Sequence, residues 1–140
     1  MSYLLDTCVI SEAVKKSPRR QVVDWIDAQE ESTLYLSALT IGELEKGIAK
    51  LPASARKMRL VTWVRRHLTA RFTGRVLPID ARIASHWGTI TGESERRGWP
   101  LPVVDSLIAA TALVNNLQIV TRNTEDFARC GVVCLDLWDE

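Results

Sequence analysis

The stretch Tyr3-Leu4-Leu5-Asp6-Thr7-Cys8-Val9-Ile10-Ser11-Glu12 constrains this chain more than any other. A short apolar run ends on a carboxylate, and a second apolar pattern begins at once. This is the pattern of a buried strand that turns directly into a helical segment, with Asp6 at the strand's carboxyl tip. In open parallel α/β sheets, ligands bind beyond the carboxyl ends of the strands. Asp6 is therefore expected at the mouth of any site, and the question becomes which other residues reach it.

The rest of the chain repeats the alternation. Strands are expected at Tyr3–Leu5, Thr33–Leu36, Arg75–Ile79, Leu117–Thr121 and Val132–Leu137, with helical spacing between them. Ser37 and Asp80 read as helix N-caps, and Pro102 suits the first turn of an alanine-rich helix. Ala53 to Phe72 reads as one long helix with Met58, Val61, Val64 and Leu68 turned inward. Several strands are continuous apolar runs, which predicts an α/β fold: a mainly parallel five-stranded sheet covered on both faces. With 140 residues and no internal repeat or linker, residues 1–140 form one domain.

Composition narrows the function classes. Hydrophobic residues are 46% and charged residues 25%, so a real core is available without a stapling metal or disulfide. The net charge of +1 says little about partners. The three cysteines, Cys8, Cys130 and Cys134, show no C-x-x-C pairing. They fit a reducing compartment and argue against a zinc site; Cys8 reads as a small core filler. No leader and no membrane span are expected, which points to the cytoplasm.

Four acids sit where such a fold gathers them: Asp6 after the first strand, Glu43 in the helix after the second, Asp105 in the first turn of the alanine-rich helix, and Asp126 after the fourth strand. Each has a plain alternative. Asp6 suits an N-cap, Asp105 a helix N-terminus, Glu43 a solvated helix face, and Asp126 a surface turn beside Glu125 and Arg129. Together they suit a hard divalent cation, which prefers oxygen ligands and usually takes one or two carboxylates plus water and phosphate. Clustered carboxylates otherwise repel one another.

Four blocks carry a resemblance: Leu4-Leu5-Asp6-Thr7, Ser37 to Leu44, Asp105 to Ala112, and Val120 to Phe127. In this order they resemble the signature blocks of PIN-domain proteins, and within them the VapC toxins of bacterial toxin–antitoxin pairs, including the FitB-like branch. The resemblance runs from Leu4 to about Leu137. It implies a three-layer α/β/α fold and an endoribonuclease that uses Mg²⁺, or Mn²⁺ in its place, to hydrolyse RNA phosphodiester bonds. It places Asp6, Glu43 and Asp105 on the family's three acidic positions, as metal ligands and catalytic groups. The fourth position falls on Asn123 or Asp126; the expectation is Asp126, with Asn123 as an uncharged neighbour. Thr7 matches the hydroxyl that follows the first Asp, Thr121 is a further supporting hydroxyl, and Cys8 departs from the family's usual Asn. The alternatives are a PIN-like module that binds RNA or protein without cleaving, and a general RNA-processing nuclease without an antitoxin.

The same resemblance implies a bacterial cytoplasmic homodimer with a cognate antitoxin and no membrane partner. For RNA contacts, the segment Arg56 to Arg75 carries Arg65, Arg66 and Arg71 and no Asp or Glu, so it reads as a phosphate-binding face or a solvated one. Arg96 and Arg97 form a smaller basic patch. Most of the five tryptophans are expected in the core, with Trp99, between Gly98 and Pro100, exposed. A groove for a partner is expected on the helices around Val22 to Ile26 and Ile41 to Ile48.

Overall fold

The strands are β1 (Tyr3–Leu5), β2 (Leu34–Ser37), β3 (Val76–Leu77), β4 (Gln118–Val120) and β5 (Cys134–Leu135), in a computed structural model that describes residues 1–139. All neighbours pair in parallel, in the order β3-β2-β1-β4-β5. The chain moves outward from β1 on one side through β2 and β3, then crosses to β4 and β5 on the other. The strand order thus reverses between β1 and β4, the crevice where ligands bind in sheets of this kind.

The helices are α1 (Thr7–Glu12), α2 (Arg20–Ala28), α3 (Ala38–Ala49), α4 (Ala55–Thr62), α5 (Thr69–Arg71), α6 (Ala81–Arg96), α7 (Val103–Val114) and α8 (Thr124–Ala128). They cover both sheet faces because successive strand side chains point to opposite sides. In β1, Leu5 joins a core with Val9, Val22, Leu44, Val64 and Phe72, while Leu4 joins Ile108, Ala109, Ile119 and Phe127 on the other face. Ile119 and Val120 divide in the same way. The result is a three-layer α/β/α domain with apolar cores above and below the sheet.

Two caps behave as read from the sequence. Ser37 Oγ accepts the Leu39 N–H at 3.1 Å and Asp80 Oδ1 the Ile83 N–H at 2.9 Å. β1 lies where expected, β2 begins and ends one residue later, and β3, β4 and β5 are shorter than expected; Glu31–Thr33 forms a 3₁₀ turn leading into β2.

The expected long helix differs most. It starts at Ala55, where Ser54 Oγ caps the Lys57 N–H at 3.1 Å, and widens into a π-helical turn over Trp63–Leu68 before α5. Val64 and Leu68 are buried, and Leu60 and Val61 pack on the same core. Met58 does not turn inward; it is 73% exposed. At roughly 100° per residue it stands about a quarter-turn from the centre of that buried stripe.

Two ties close the structure. Glu31 receives the guanidinium of Arg71, whose Nε stands 2.9 Å and Nη2 2.6 Å from Oε1, and Arg75 Nη2 at 3.3 Å. Glu12, buried in α1, accepts from Lys15 Nζ at 3.2 Å, the Arg19 N–H at 3.0 Å and Trp138 Nε1 at 3.3 Å. Burial pushes the Glu12 carboxyl up, but these three donors outweigh it and hold the carboxyl below its ordinary value. Among the described residues, no helix is long and apolar enough to cross a membrane.

Candidate active site

Asp6 extends the β1 ladder by one residue, its N–H donating to Val120 O at 3.0 Å. Its main-chain carbonyl accepts from the N–H groups of Val9 and Ile10 as α1 begins. Asp6 is the N-cap residue of α1 by position, but its side chain makes no capping hydrogen bond there. It is buried at the strand tip, and Oδ2 accepts the Thr121 hydroxyl at 2.8 Å. Thr121, fully buried just past β4, also accepts the Asn123 N–H at 2.9 Å. One hydroxyl therefore fastens the two strand tips together across the switch-point crevice.

Thr7 serves a second acid. Its hydroxyl donates to Glu43 Oε1 at 2.6 Å, holding the α3 carboxylate toward the start of α1. Asp105 enters from the first turn of α7. Asn123 Nδ2 stands between Asp105 Oδ2, at 3.2 Å, and Asp126 Oδ2, at 3.3 Å. The two residues that compete for the fourth acidic position in the sequence thus meet in one contact: the amide separates and bridges two carboxylates.

The electrostatics follow from this crowding. Burial raises the Asp6 carboxyl, opposed by the Thr121 hydroxyl and the Thr7 N–H and reinforced by the charge on Glu43. Asp105 is pushed up to about 6, first by burial and then by the charges of Asp6, Glu43 and Asp126. Among the described residues, none of these four acids makes an ion pair with a Lys or Arg. The chain supplies four carboxylates from four elements and no cation to balance them.

The donor set suits a hard divalent ion rather than a closed cage of protein ligands. Among the described residues, no three His, Cys, Asp or Glu side chains converge into a set that would hold a metal ion by themselves. Mg²⁺ needs no such set, because it usually keeps several waters and takes one or two carboxylates. Asp6 and Asp105 are the residues that would hold it.

Cys8 is not simply a core filler. It packs against the core, yet its Sγ lies 3.8 Å from both Asp6 Oδ2 and Thr121 Oγ1 and accepts the Arg122 N–H at 3.3 Å. The signal for this lay in its position, two residues past a carboxylate at a strand tip. Burial and then the Asp6 charge raise its thiol above the ordinary range.

Part of the expected cationic face is paired: Arg71 and Arg75 meet Glu31 and Arg65 Nε approaches Glu45 at 3.8 Å, while Arg56, Lys57 and Arg59 make no ion pair among the described residues. Arg66 is exposed and makes no ion pair among the described residues. Of the two stretches expected to form a groove, Ile41 to Ile48 lines a cavity of which Val22 to Ile26 is no part. Val22 and Ile26 are core, whereas Leu44, Ile48, Leu60 and Trp63 line a cavity of about 360 Å³ that reaches Thr7 and Glu43.

Residues 3–132 match the PIN domain. The chain belongs to the PIN-domain family. It is 36% identical to the VapC ribonuclease Y4jK of Sinorhizobium fredii, over 97% of each protein. It is 34% identical to the toxin FitB of Neisseria gonorrhoeae, over 98% of this chain and 99% of that protein. The crystal structure of FitAcB from Neisseria gonorrhoeae superposes with a TM-score of 0.92 at 34% identity, covering 99% of each chain. This PIN domain therefore has the fold that its sequence suggested.

Proposed function

We propose that this PIN domain is the toxin of a toxin–antitoxin pair, an endoribonuclease that hydrolyses RNA phosphodiester bonds with Mg²⁺, for which Mn²⁺ can substitute. The observation that carries the reading is the gathering of Asp6, Glu43, Asp105 and Asp126 at the strand tips, each oriented by Thr121, Thr7 or Asn123 and, among the described residues, none paired by a Lys or Arg. The full-length similarity to proteins named a VapC ribonuclease and a toxin supports the same chemistry. PIN-domain nucleases are in general divalent-metal dependent.

When bound, the ion would activate water for in-line attack and stabilise charge on the leaving oxygen. The residues prepare for this. Asp6, fixed by the Thr121 hydroxyl, and Asp105, spaced from Asp126 by the Asn123 amide, would hold the ion. Glu43, oriented by Thr7, and Asp126 would orient the attacking water, and one of the two carboxylates would accept its proton. The antitoxin supplies a competing cation: a guanidinium fits paired carboxylates in planar, bidentate fashion. Retained with this reading are a homodimer and a bacterial cytoplasmic setting. A PIN-like module that binds without cleaving is favoured only by the absence, among the described residues, of a preassembled metal-ligand set.

Purified protein, freed of antitoxin, is expected to cut RNA with Mg²⁺ or Mn²⁺ and to stop when excess chelator is added. Asp6→Asn is expected to abolish cleavage and keep the fold. Cleavage undiminished by chelator, or full activity of that variant, would overturn the metal mechanism. A stable wild type that binds RNA and never cuts it would establish the binding-module reading instead.

A further inference from the structure

Trp99 stands out among the five tryptophans. It is 58% exposed, whereas Trp138 is buried and Trp25, Trp63 and Trp87 are half-buried. Its backbone is nonetheless tied down. The Trp99 N–H donates to Ser94 O at 2.8 Å, the Ser94 hydroxyl donates back to Trp99 O, and Gly98 makes the turn at φ 83°. Pro100 follows and restricts the chain further. The guanidinium of Arg129 lies 4.3 Å from the Trp99 ring centroid, with Glu125 Oε1 holding Arg129 Nη2 at 3.0 Å. One face of the indole is thus backed by a fixed cation, while much of the ring remains in solvent.

This position leads to the acids by a short route. Arg129 sits three residues after Asp126, on the same face at the end of α8. Asp126 contacts Asn123, and Asn123 contacts Asp105. Val103 and Val104, both exposed, lie on α7 just ahead of Asp105. Arg96 and Arg97, at the end of α6, are exposed and make no ion pair among the described residues.

We propose that Trp99, backed by Arg129, is a stacking platform for an unpaired base of the RNA strand whose backbone passes the acidic site. This rests on the ribonuclease reading and adds where the substrate is gripped. Single-stranded RNA is held by aromatic faces flanked by cations that track its phosphates. An exposed indole, a stacked guanidinium and two free arginines beside a phosphodiester-cleaving centre meet that description. A cation stacked on one face also strengthens the ring's hold on its own position. Trp99 is here a positioning residue for the substrate, not a catalytic one.

The test uses a fluorescein-labelled, mixed-sequence single-stranded RNA decamer, with binding read by anisotropy in chelator so that no cleavage occurs. Losing one base stack is expected to weaken binding about five- to a hundredfold in Trp99→Ala. Trp99→Phe should stay within about threefold of wild type. With Mg²⁺ restored, Trp99→Ala should raise KM in the same proportion and spare kcat, because the stack acts equally on the ground and transition states. A decamer of abasic nucleotides should bind wild type and Trp99→Ala alike. Unchanged Kd and KM in Trp99→Ala overturn the platform while leaving the ribonuclease reading intact. So does an equal loss on the abasic strand, or a defect confined to binding a partner protein. Wild type that neither cuts nor binds the decamer overturns the ribonuclease reading, and the platform with it.

Discussion

Asp105→Asn should make the chelated protein more stable while destroying its activity. At pH 7.5 Asp105 is ionised although burial and the charges of Asp6, Glu43 and Asp126 oppose it. Raising a carboxyl from 3.8 to about 6 corresponds to about 3 kcal/mol of penalty on the ionised form. Asp105 is only half-buried and solvent screens part of that field, so about 1–2 kcal/mol is the expected gain. Asn keeps an oxygen to accept from Asn123 Nδ2, so the 3.2 Å contact survives the change. For a chain of 140 residues, this corresponds to a Tm increase of about 3–8 °C.

The sign depends on pH. A carboxyl raised in the folded state favours folding below its unfolded value of 3.8 and loses that benefit as pH rises through about 6. The advantage of Asn over Asp should therefore be full above pH 7, shrink as pH falls from about 6 toward 3.8, and vanish below 3.8. Excess Mg²⁺ should reverse the ranking, since a ligand that binds only the folded wild type stabilises it by mass action. Calorimetry of both proteins at pH 7.5 and 4.5, with chelator and with Mg²⁺, decides the matter. A variant no more stable than wild type at pH 7.5 in chelator, or a gain as large at pH 4.5 as at pH 7.5, would refute the account of Asp105 as one member of a repelling set.

Three other perturbations follow from the same contacts. Thr121→Val removes the hydroxyl shared by Asp6 and the Asn123 N–H, leaving an unpaired buried acceptor and an unpaired donor; about 2–3 kcal/mol of stability should be lost, together with most activity, and urea unfolding at wild-type midpoint would contradict this. Glu12→Gln replaces an acceptor of three hydrogen bonds with an amide that must turn a donor toward one of them, for a loss of about 1.5–3 kcal/mol at pH 7. Because the Glu12 carboxyl is held below 4.5, its contribution is present above about pH 4.5 and lost as pH falls, so the gap between wild type and variant should narrow in acid; a constant gap from pH 7 to 3 would count against it. All three thiols are raised, Cys130 to about 11 by burial and then by the Asp105 and Asp126 charges, so native protein should alkylate slowly with iodoacetamide at pH 8 and rapidly once unfolded; fast native labelling of Cys8 would contradict its burial beside Asp6.

What could be read from the sequence was whatever depends on local pattern. The Leu4-Leu5-Asp6-Thr7 junction specifies a strand that ends on a carboxylate, and Ser37 and Asp80 specify helix starts, because a cap's chemistry lies within three residues of itself. The parallel sheet followed from continuous apolar strands. Pairings across the fold had no such signature. Nothing near Arg71 foretells Glu31, forty residues earlier, so the segment looked like an open cationic face. Met58 was misplaced because the pattern was laid on one uninterrupted helix, whereas the buried stripe runs through Leu60, Val61, Val64 and Leu68 and a π-helical turn. Cys8 looked like filler because its role depends on Thr121 and Arg122, over a hundred residues away.

The site can be understood as a charge deficit held in place by the cores around it. Leu5 and Val120 on one face, and Leu4, Ile119 and Ile108 on the other, fix the strand tips and the start of α7. Asp6 and Asp105 therefore cannot relax apart to relieve their repulsion. Thr121, Thr7 and Asn123 supply donors to the carboxylates but no charge. Only a cation from outside can supply it, and the geometry does not require that cation to be a metal. A divalent ion and a guanidinium would relieve the same repulsion, but only the ion can activate water. On the proposed function, activation and inhibition of this PIN domain are then a competition between two cations for one deficit. A weaker deficit should loosen both together: Asp126→Asn is expected to lower metal affinity and antitoxin affinity in the same direction. If one fell while the other rose or stayed fixed, the two ligands would not be drawing on a common field.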